Sequence, residues 1–130
     1  MSVRTKIAVV GATGYAGFEL ARLLLRHPQI EKPVFFVRGE HADVRCLTEI
    51  FPQLRGWGEA RCVPLSVEAI AKSGADVVFL STPHEASLEL VPELLAANPA
   101  FRVIDLSGAL RFRDPQTFSD WYKLDRKSVV

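Results

Sequence analysis

Apolar residues along this chain fall into short unbroken runs, separated by segments in which they recur every three or four positions. An unbroken run of this kind reads as a strand buried on both faces, and the wider spacing as a helix with one apolar side. The first run, residues 6–10, stops at Gly11. Residues 16–27 then carry Leu20, Leu23 and Leu24 at helical spacing, with Glu19, Arg22 and Arg26 on the other side, and Pro28 closes the helix. A second strand is predicted at 34–37. Residues 38–58 are mostly polar, with one helical turn expected near 47–51 before Pro52, Gly56 and Gly58 interrupt regular structure.

The same alternation continues through the second half. Residues 61–65 predict a short strand, Ser66 an N-cap for a helix to Lys72, and Gly74 the left-handed residue that ends it. Residues 76–81 form the clearest strand pattern. The next helix places Leu88, Val91 and Leu95 on one face and Glu85, Glu89 and Glu93 on another, with Pro92 expected to kink it and Asn98-Pro99 to end it. Residues 101–105 predict another buried strand and 106–113 an irregular stretch. Asp114 and Pro115 then suit the N-cap and first turn of a final helix through Tyr122. Apolar strands alternating with helices imply an α/β fold, a doubly wound and mostly parallel sheet in three layers. Ligands in such sheets bind beyond the carboxyl ends of the strands, which directs attention to residues 11–17, 38–39, 81–84 and 107–111.

Composition narrows the classes. At 130 residues, 48% hydrophobic and 24% charged, the chain suits one domain that builds its core without metal or disulfide staples. A net charge of +1 gives no electrostatic reason to expect nucleic acid or an anionic membrane as partner. Arg4 and Lys6 before the apolar residues 7–10 are followed too soon by Gly11 for a signal peptide, and no apolar run approaches the roughly 20 residues of a membrane span. The expectation is a soluble, cytoplasmic protein. Cys46 and Cys62 match neither a disulfide framework nor a zinc pattern, which agrees with a reducing compartment. No metal site is expected.

The strongest chemical signal is Gly11-Ala12-Thr13-Gly14-Tyr15-Ala16-Gly17, placed between the first strand and the first helix. In that context the three glycines serve different ends. Gly11 permits the tight turn, Gly14 the close approach of backbone amides to a pyrophosphate, and Gly17 the close packing of helix on sheet. The helix amides and dipole would meet the phosphates. The spacing is G-x-x-G-x-x-G, a variant of the commoner G-x-G-x-x-G. At the end of the second strand, where a carboxylate would hold the ribose 2′-hydroxyl of NAD, stands Arg38. A guanidinium favours a 2′-phosphate, so NADP is the expected cofactor, with Glu40 close by.

Further motifs carry a resemblance. The glycine turn, Phe51-Pro52-Gln53-Leu54-Arg55-Gly56, Ser81-Thr82-Pro83-His84, and Asp105-Leu106-Ser107-Gly108-Ala109-Leu110-Arg111, then Asp114-Pro115 and Asp120-Trp121-Tyr122, resemble in order and spacing the N-terminal part of the N-acetyl-gamma-glutamyl-phosphate reductase family. The resemblance extends to the aspartate-semialdehyde dehydrogenase-like superfamily, within which the Pro-His pair and the Pro-x-Leu-Arg-Gly segment favour this family over aspartate-semialdehyde dehydrogenase. The resemblance implies a Rossmann-type domain and NADPH-dependent reduction of N-acetyl-gamma-glutamyl phosphate to the semialdehyde in arginine biosynthesis. A cysteine thioester is formed on the way and phosphate is released. It implies that Ser81, Thr82, Pro83 and His84 line the nicotinamide side and that Ser107 and Arg111 approach the phosphate of a small acyl-phosphate substrate. The alternative roles are a surface ion pair with Asp114 for Arg111 and a helix-start hydrogen bond for His84.

The family's catalytic cysteine and histidine match no residue here and are expected beyond residue 130. Cys46 and Cys62 have no His, Lys or helix start placed in sequence to lower their pKa and are read as structural; His27 and His41 match no motif. At Glu85, where the family usually has Gly, the chain departs from the pattern with a good first-turn residue. The implied layout is a dinucleotide-binding domain over 1–124, a truncated or non-native tail over 125–130, and a catalytic and dimerisation domain outside the chain. The fragment is expected to bind NADP only, its parent to form a homo-oligomer. Two other classes stay open. A short-chain reductase or epimerase would need Tyr-x-x-x-Lys, but Tyr15 is followed by Glu19 and Tyr122 by Arg126. A non-catalytic nucleotide-sensing module needs only the glycine turn.

Overall fold

Five short strands, all parallel, form one sheet in a computed structural model that describes residues 3–123. In chain order the elements are β1 (Ile7–Val10), α1 (Tyr15–Leu25), β2 (Val34–Val37), β3 (Cys62–Pro64), α2 (Val67–Lys72), β4 (Val77–Leu80), α3 (His84–Ala97), β5 (Arg102–Asp105) and α4 (Pro115–Tyr122). The strand order is β3-β2-β1-β4-β5, so β1 lies at the centre, and the direction of winding reverses beside it. Val9 is paired with Phe35 on one side and Phe79 on the other. The residues assigned to a tail, 125–130, lie outside the described residues.

Burial on both faces explains why these strands read as unbroken apolar runs. Ile7, Val9, Phe35, Val37 and Cys62 point to one face, where they pack with Ala21 and Leu24 of α1. Ala8, Val10, Phe36, Val78 and Leu80 point to the other, against Ile70 of α2 and Val91 and Leu94 of α3. Phe35 and Phe36, adjacent in sequence, are both fully buried on opposite faces, each stabilising the fold by about 2–3 kcal/mol. The three-layer expectation therefore holds, with a sheet that is wholly parallel.

The caps also fall at the positions expected from sequence. Ser66 Oγ accepts from the Ala69 N–H at 3.0 Å, Gly74 follows α2 with φ of +73°, and the Asp114 carboxylate accepts from the N–H groups of Gln116 and Thr117. Glu85 sits in the first turn of α3, and α3 runs on through Pro92.

Four expectations need correction. On α1, Leu23 is exposed, and the buried stripe is Gly17, Ala21 and Leu24. The cause is the small residues: Gly17 and Ala21 let the helix axis approach the sheet, turning Leu23 outward. On α3, Leu95 is exposed and the buried residues are Ala86, Ser87, Val91 and Leu94, so the apolar face lies about one position away from the Leu88-Val91-Leu95 line. β5 is a sheet edge, not a buried strand: Arg102 and Ile104 are exposed, and Val103 is half-buried. Finally, residues 38–58 hold three single 3-10 turns, Gly39–His41, Leu47–Glu49 and Pro52–Leu54. Leu47 and Leu54 drop from them into the core beside α1, and Arg26 lays its guanidinium over the Trp57 ring at 3.3 Å from the centroid.

Candidate functional site

The winding reversal beside β1 opens a crevice, because the chain leaves β1 and β4 towards opposite faces of the sheet. A cavity of about 860 Å³ lies there, beyond the carboxyl ends of β1, β2 and β4. Its floor is the glycine turn. Gly11 has φ of +84°, and a Cβ at this position would lie 2.2 Å from the Ser81 carbonyl oxygen and 3.1 Å from the Thr82 methyl. Absence of a side chain is what lets the β1–α1 turn close against the β4–α3 loop. Gly17 is constrained differently: its Cβ would fall 2.5 Å from both Ala12 Cα and the Gly11 carbonyl oxygen. Gly14, the N-cap of α1, has open space around a built Cβ and no side chain to cap the first turn. The unpaired amides of that turn are therefore available to an anion, the condition a bound pyrophosphate needs.

Of the residues singled out from sequence, Gly11, Thr13, Gly14, Tyr15, Ala16, Arg38, Ser81, Thr82, Pro83, His84 and Ser107 all line this one cavity. Ala12 is fully buried beneath it and Gly17 packs behind the turn. Arg111 is exposed and does not line the cavity. At the β2 end Arg38 forms no ion pair among the described residues, while Glu40 and His41 face each other at 3.3 Å. Tyr15 stands almost fully exposed at the rim.

At the β4 end the geometry specifies hydrogen positions. The Gly108 N–H donates to His84 Nδ1 at 3.0 Å, so that nitrogen offers a lone pair and the ring carries its hydrogen on Nε2. The ring is also braced edge-on by Tyr122, with centroids 4.8 Å apart. His84 is thus a helix-start residue tied to the β5–α4 loop and, at the same time, part of the cavity wall. Tyr122 stacks on Phe118 and fills the space that a side chain at Gly108 would take, which fixes α4 against the loop.

A second set of bonds has no counterpart in the sequence motifs. Ser87, fully buried in α3, donates to Asp105 Oδ1 at 3.0 Å and shares a 2.7 Å bond with Thr82 Oγ1. Ser107 donates its amide to Asp105 Oδ1 and its hydroxyl to Oδ2, both at 2.9 Å. The available signal was a serine on the apolar stripe of α3, in line with Leu90, Val91 and Leu94; a polar residue there must find a buried partner.

Of the two cysteines, Cys46 differs from expectation. Burial opposes ionisation of Cys46, but hydrogen bonds from the Thr48 hydroxyl, 3.0 Å away, and from the backbone of Thr48 and Ala60 outweigh it and lower its pKa. The expectation that no helix start stands beside Cys46 needs correction: Cys46 caps the 3-10 turn Leu47–Glu49, whose Thr48 supplies hydroxyl and backbone donors, and the Ala60 backbone adds another. Cys62 is buried, and desolvation pushes its thiol up to about 12.

A glycine turn with free helix amides at the switch point of a parallel sheet defines a dinucleotide-binding domain of Rossmann type. The chain belongs to the semialdehyde dehydrogenase NAD-binding domain family, which matches residues 6–129. It is 41% identical over 122 residues to the N-acetyl-gamma-glutamyl-phosphate reductase of Thermosynechococcus vestitus, covering 94% of this chain and 33% of that protein. It is 43% identical over 120 residues to the enzyme of the same name from Yersinia pseudotuberculosis, covering 92% and 35%. The chain thus spans about one third of the length of these curated relatives. Among solved structures, aspartate semialdehyde dehydrogenase with NADP from Candida albicans superposes with a TM-score of 0.66 at 17% identity, covering 86% of this chain and 32% of that one. Aspartate semialdehyde dehydrogenase II from Vibrio cholerae gives 0.64 at 16%, covering 86% and 33%. At such identities the likeness is one of fold. No described helix is long and apolar enough to cross a membrane.

Proposed function

We propose that this chain is the NADP-binding portion of an acyl-phosphate reductase that converts N-acetyl-gamma-glutamyl phosphate to the semialdehyde with release of phosphate, in the cytoplasmic synthesis of arginine. The observation that carries the reading is the convergence of the glycine turn, Arg38 and the Ser81-Thr82-Pro83-His84 loop on one cavity. The relatives' names supply the substrate class.

A bound nicotinamide dinucleotide would supply the hydride for this reduction. The residues present fit such a group, since Gly11 and Gly17 hold the turn closed and Gly14 leaves the space beside the helix amides open. Gly14, Tyr15 and Ala16 would present amide donors to the pyrophosphate, with Ala12 and Thr13 shaping the turn. The exposed Arg38 guanidinium offers two parallel donors to a 2′-phosphate, which a carboxylate would repel. Ser81, Thr82, Pro83 and His84 would form the wall at the nicotinamide end, where His84 Nε2–H is a hydrogen-bond donor of fixed orientation. Arg111 is assigned to the phosphate of the acyl-phosphate substrate, which requires residues 106–113 to carry its guanidinium towards the cavity; the expected phosphate role of Ser107 is not kept, because its amide and hydroxyl both donate to Asp105. The nucleophilic cysteine and the assisting histidine are assigned to parts of the parent homo-oligomer outside these residues, and Cys46 and Cys62 to structural roles. This chain alone would bind NADP without turnover.

Calorimetric titration tests the cofactor assignment. NADP should bind more tightly than NAD, and Arg38→Ala should weaken NADP by roughly 10–100-fold, as expected for losing a charge-assisted pair, while leaving NAD unchanged. Equal affinities for the two cofactors in the wild type would overturn it.

A further inference from the structure

We propose that Ser87 and Asp105 are positioning residues for the nicotinamide end of the cavity, so that the chain Thr82–Ser87–Asp105–Ser107 sets where the nicotinamide ring lies while leaving the ADP end untouched. This rests on the dinucleotide reading given above.

Hydrogen count fixes the direction of every bond in this chain. Asp105, as a carboxylate, only accepts, and it takes hydrogens from Ser87 Oγ, Ser107 Oγ and the Ser107 amide. Ser87 has therefore committed its one hydrogen to Asp105, and the 2.7 Å bond to Thr82 must be donated by Thr82. Ser107 Oγ in turn accepts from the Ala109 amide at 3.2 Å. The consequence falls on the cavity wall. Thr82 points its hydroxyl inward to α3, and its methyl group is the part that a Cβ on Gly11 would meet at 3.1 Å. Ser107 has both its donors engaged by Asp105. The donors of both wall residues are thus committed within the protein and not offered to the cavity.

The placement is specific in the fold. Asp105 ends β5, Ser87 lies one turn into α3 and Thr82 lies in the β4–α3 loop. Paired strands β4 and β5 put Leu80 opposite Asp105, so the two loops leave the sheet side by side. Ser87 bridges them from behind and is fully buried, while the bonds it anchors are partly buried. Nothing in this chain of bonds reaches Arg38 or Gly14, at the far end of the cavity.

The test compares ligands that do and do not reach this end. Ser87→Ala and Asp105→Asn are titrated with NADPH, followed by nicotinamide fluorescence, and with 2′,5′-ADP, which carries the adenosine and 2′-phosphate but no nicotinamide. Each variant should lose about tenfold in NADPH affinity, the size expected when a partly buried hydrogen bond to a charged group is broken, and should bind 2′,5′-ADP within about twofold of wild type, since none of the broken bonds touches the ADP end. The fluorescence of bound NADPH should fall towards that of free NADPH. Equal losses for both ligands, or no loss for NADPH, would overturn the proposal, because a general weakening of the fold affects both ends. Ser87→Ala keeps a helix-favouring residue and decides the matter if Asp105→Asn does not fold. Failure of the wild-type chain to bind either ligand would instead overturn the dinucleotide reading and this assignment with it.

Discussion

Gly14 and Gly17 lie three residues apart in one turn, yet alanine at each should fail in opposite ways. Gly17 is helical, so its backbone conformation is open to any residue, and alanine in its place would gain about 1 kcal/mol of helix propensity. Against that, the new methyl carbon would lie 2.5 Å from Ala12 Cα and 2.5 Å from the Gly11 carbonyl oxygen, both backbone atoms that cannot rotate away. Forcing α1 off the sheet is an overpacking cost of about 1–3 kcal/mol or more, and the contacts here lie well under any tolerated separation. Gly17→Ala should therefore lose about 1–2 kcal/mol net, a fall in Tm of several degrees for a domain of this size. Gly14 has φ of −93° and nothing within 4 Å of a built Cβ. Gly14→Ala should cost the fold only about 0.5–1 kcal/mol as a poorer N-cap, but it places a methyl group in the space through which phosphates would approach the amides. Differential scanning calorimetry gives the first quantity and NADP titration the second. A Gly17→Ala variant more stable than wild type, or a Gly14→Ala variant that binds NADP as tightly as wild type, would refute the steric account of the turn.

The cysteines provide two further expectations. With limiting iodoacetamide at neutral pH, Cys46 should be alkylated well before Cys62, as peptide mass mapping would reveal; faster modification of Cys62 would contradict the burial and hydrogen bonds described. The Cys62 thiol is raised from 9.0 to about 12 in the folded chain, so its stabilising contribution is complete below pH 9 and is lost as pH rises towards 12. Over that window the loss is about 1.4 kcal/mol for each pH unit. Urea unfolding between about pH 8 and 10.5 should show a steeper fall for wild type than for Cys62→Ala, and parallel slopes would sink this assignment.

Much of this architecture was legible because burial on two faces leaves a plain mark: Ile7-Ala8-Val9-Val10 and Val77-Val78-Phe79-Leu80 have no polar member. Caps were legible for a related reason, since Ser66 and Asp114 act on amides two or three residues away. What escaped depends on distant partners. Leu23 and Leu95 have the right spacing for a core face, but the orientation of each helix is set by Gly17, Ala21 and Ala86, small residues whose value is how closely they allow approach. β5 looks like a core strand in sequence because Val103 and Ile104 are apolar, and only the strand order puts it at an edge. In residues 38–58 the buried Leu47 and Leu54 sit in separate 3-10 turns with no common period, so no pattern marks them. The glycine turn and the Ser81–His84 loop could be found from their positions after strands. The Ser87–Asp105 bond, whose partners stand 18 positions apart, could not.

The central position of β1 also has a kinetic consequence. Its partner β4 is 70 residues away along the chain, a separation spanned directly by the bond from the Lys6 amide to Asp76. Closing so long a loop before any pairing stabilises it makes this the entropically slow step of folding. The β1–β2 pair can form early, but the Gly11 turn gains its opposing wall only when Ser81 arrives. A dinucleotide is therefore a ligand of the late, complete sheet and of no earlier species. Its presence should slow unfolding while leaving the rate of sheet formation unchanged.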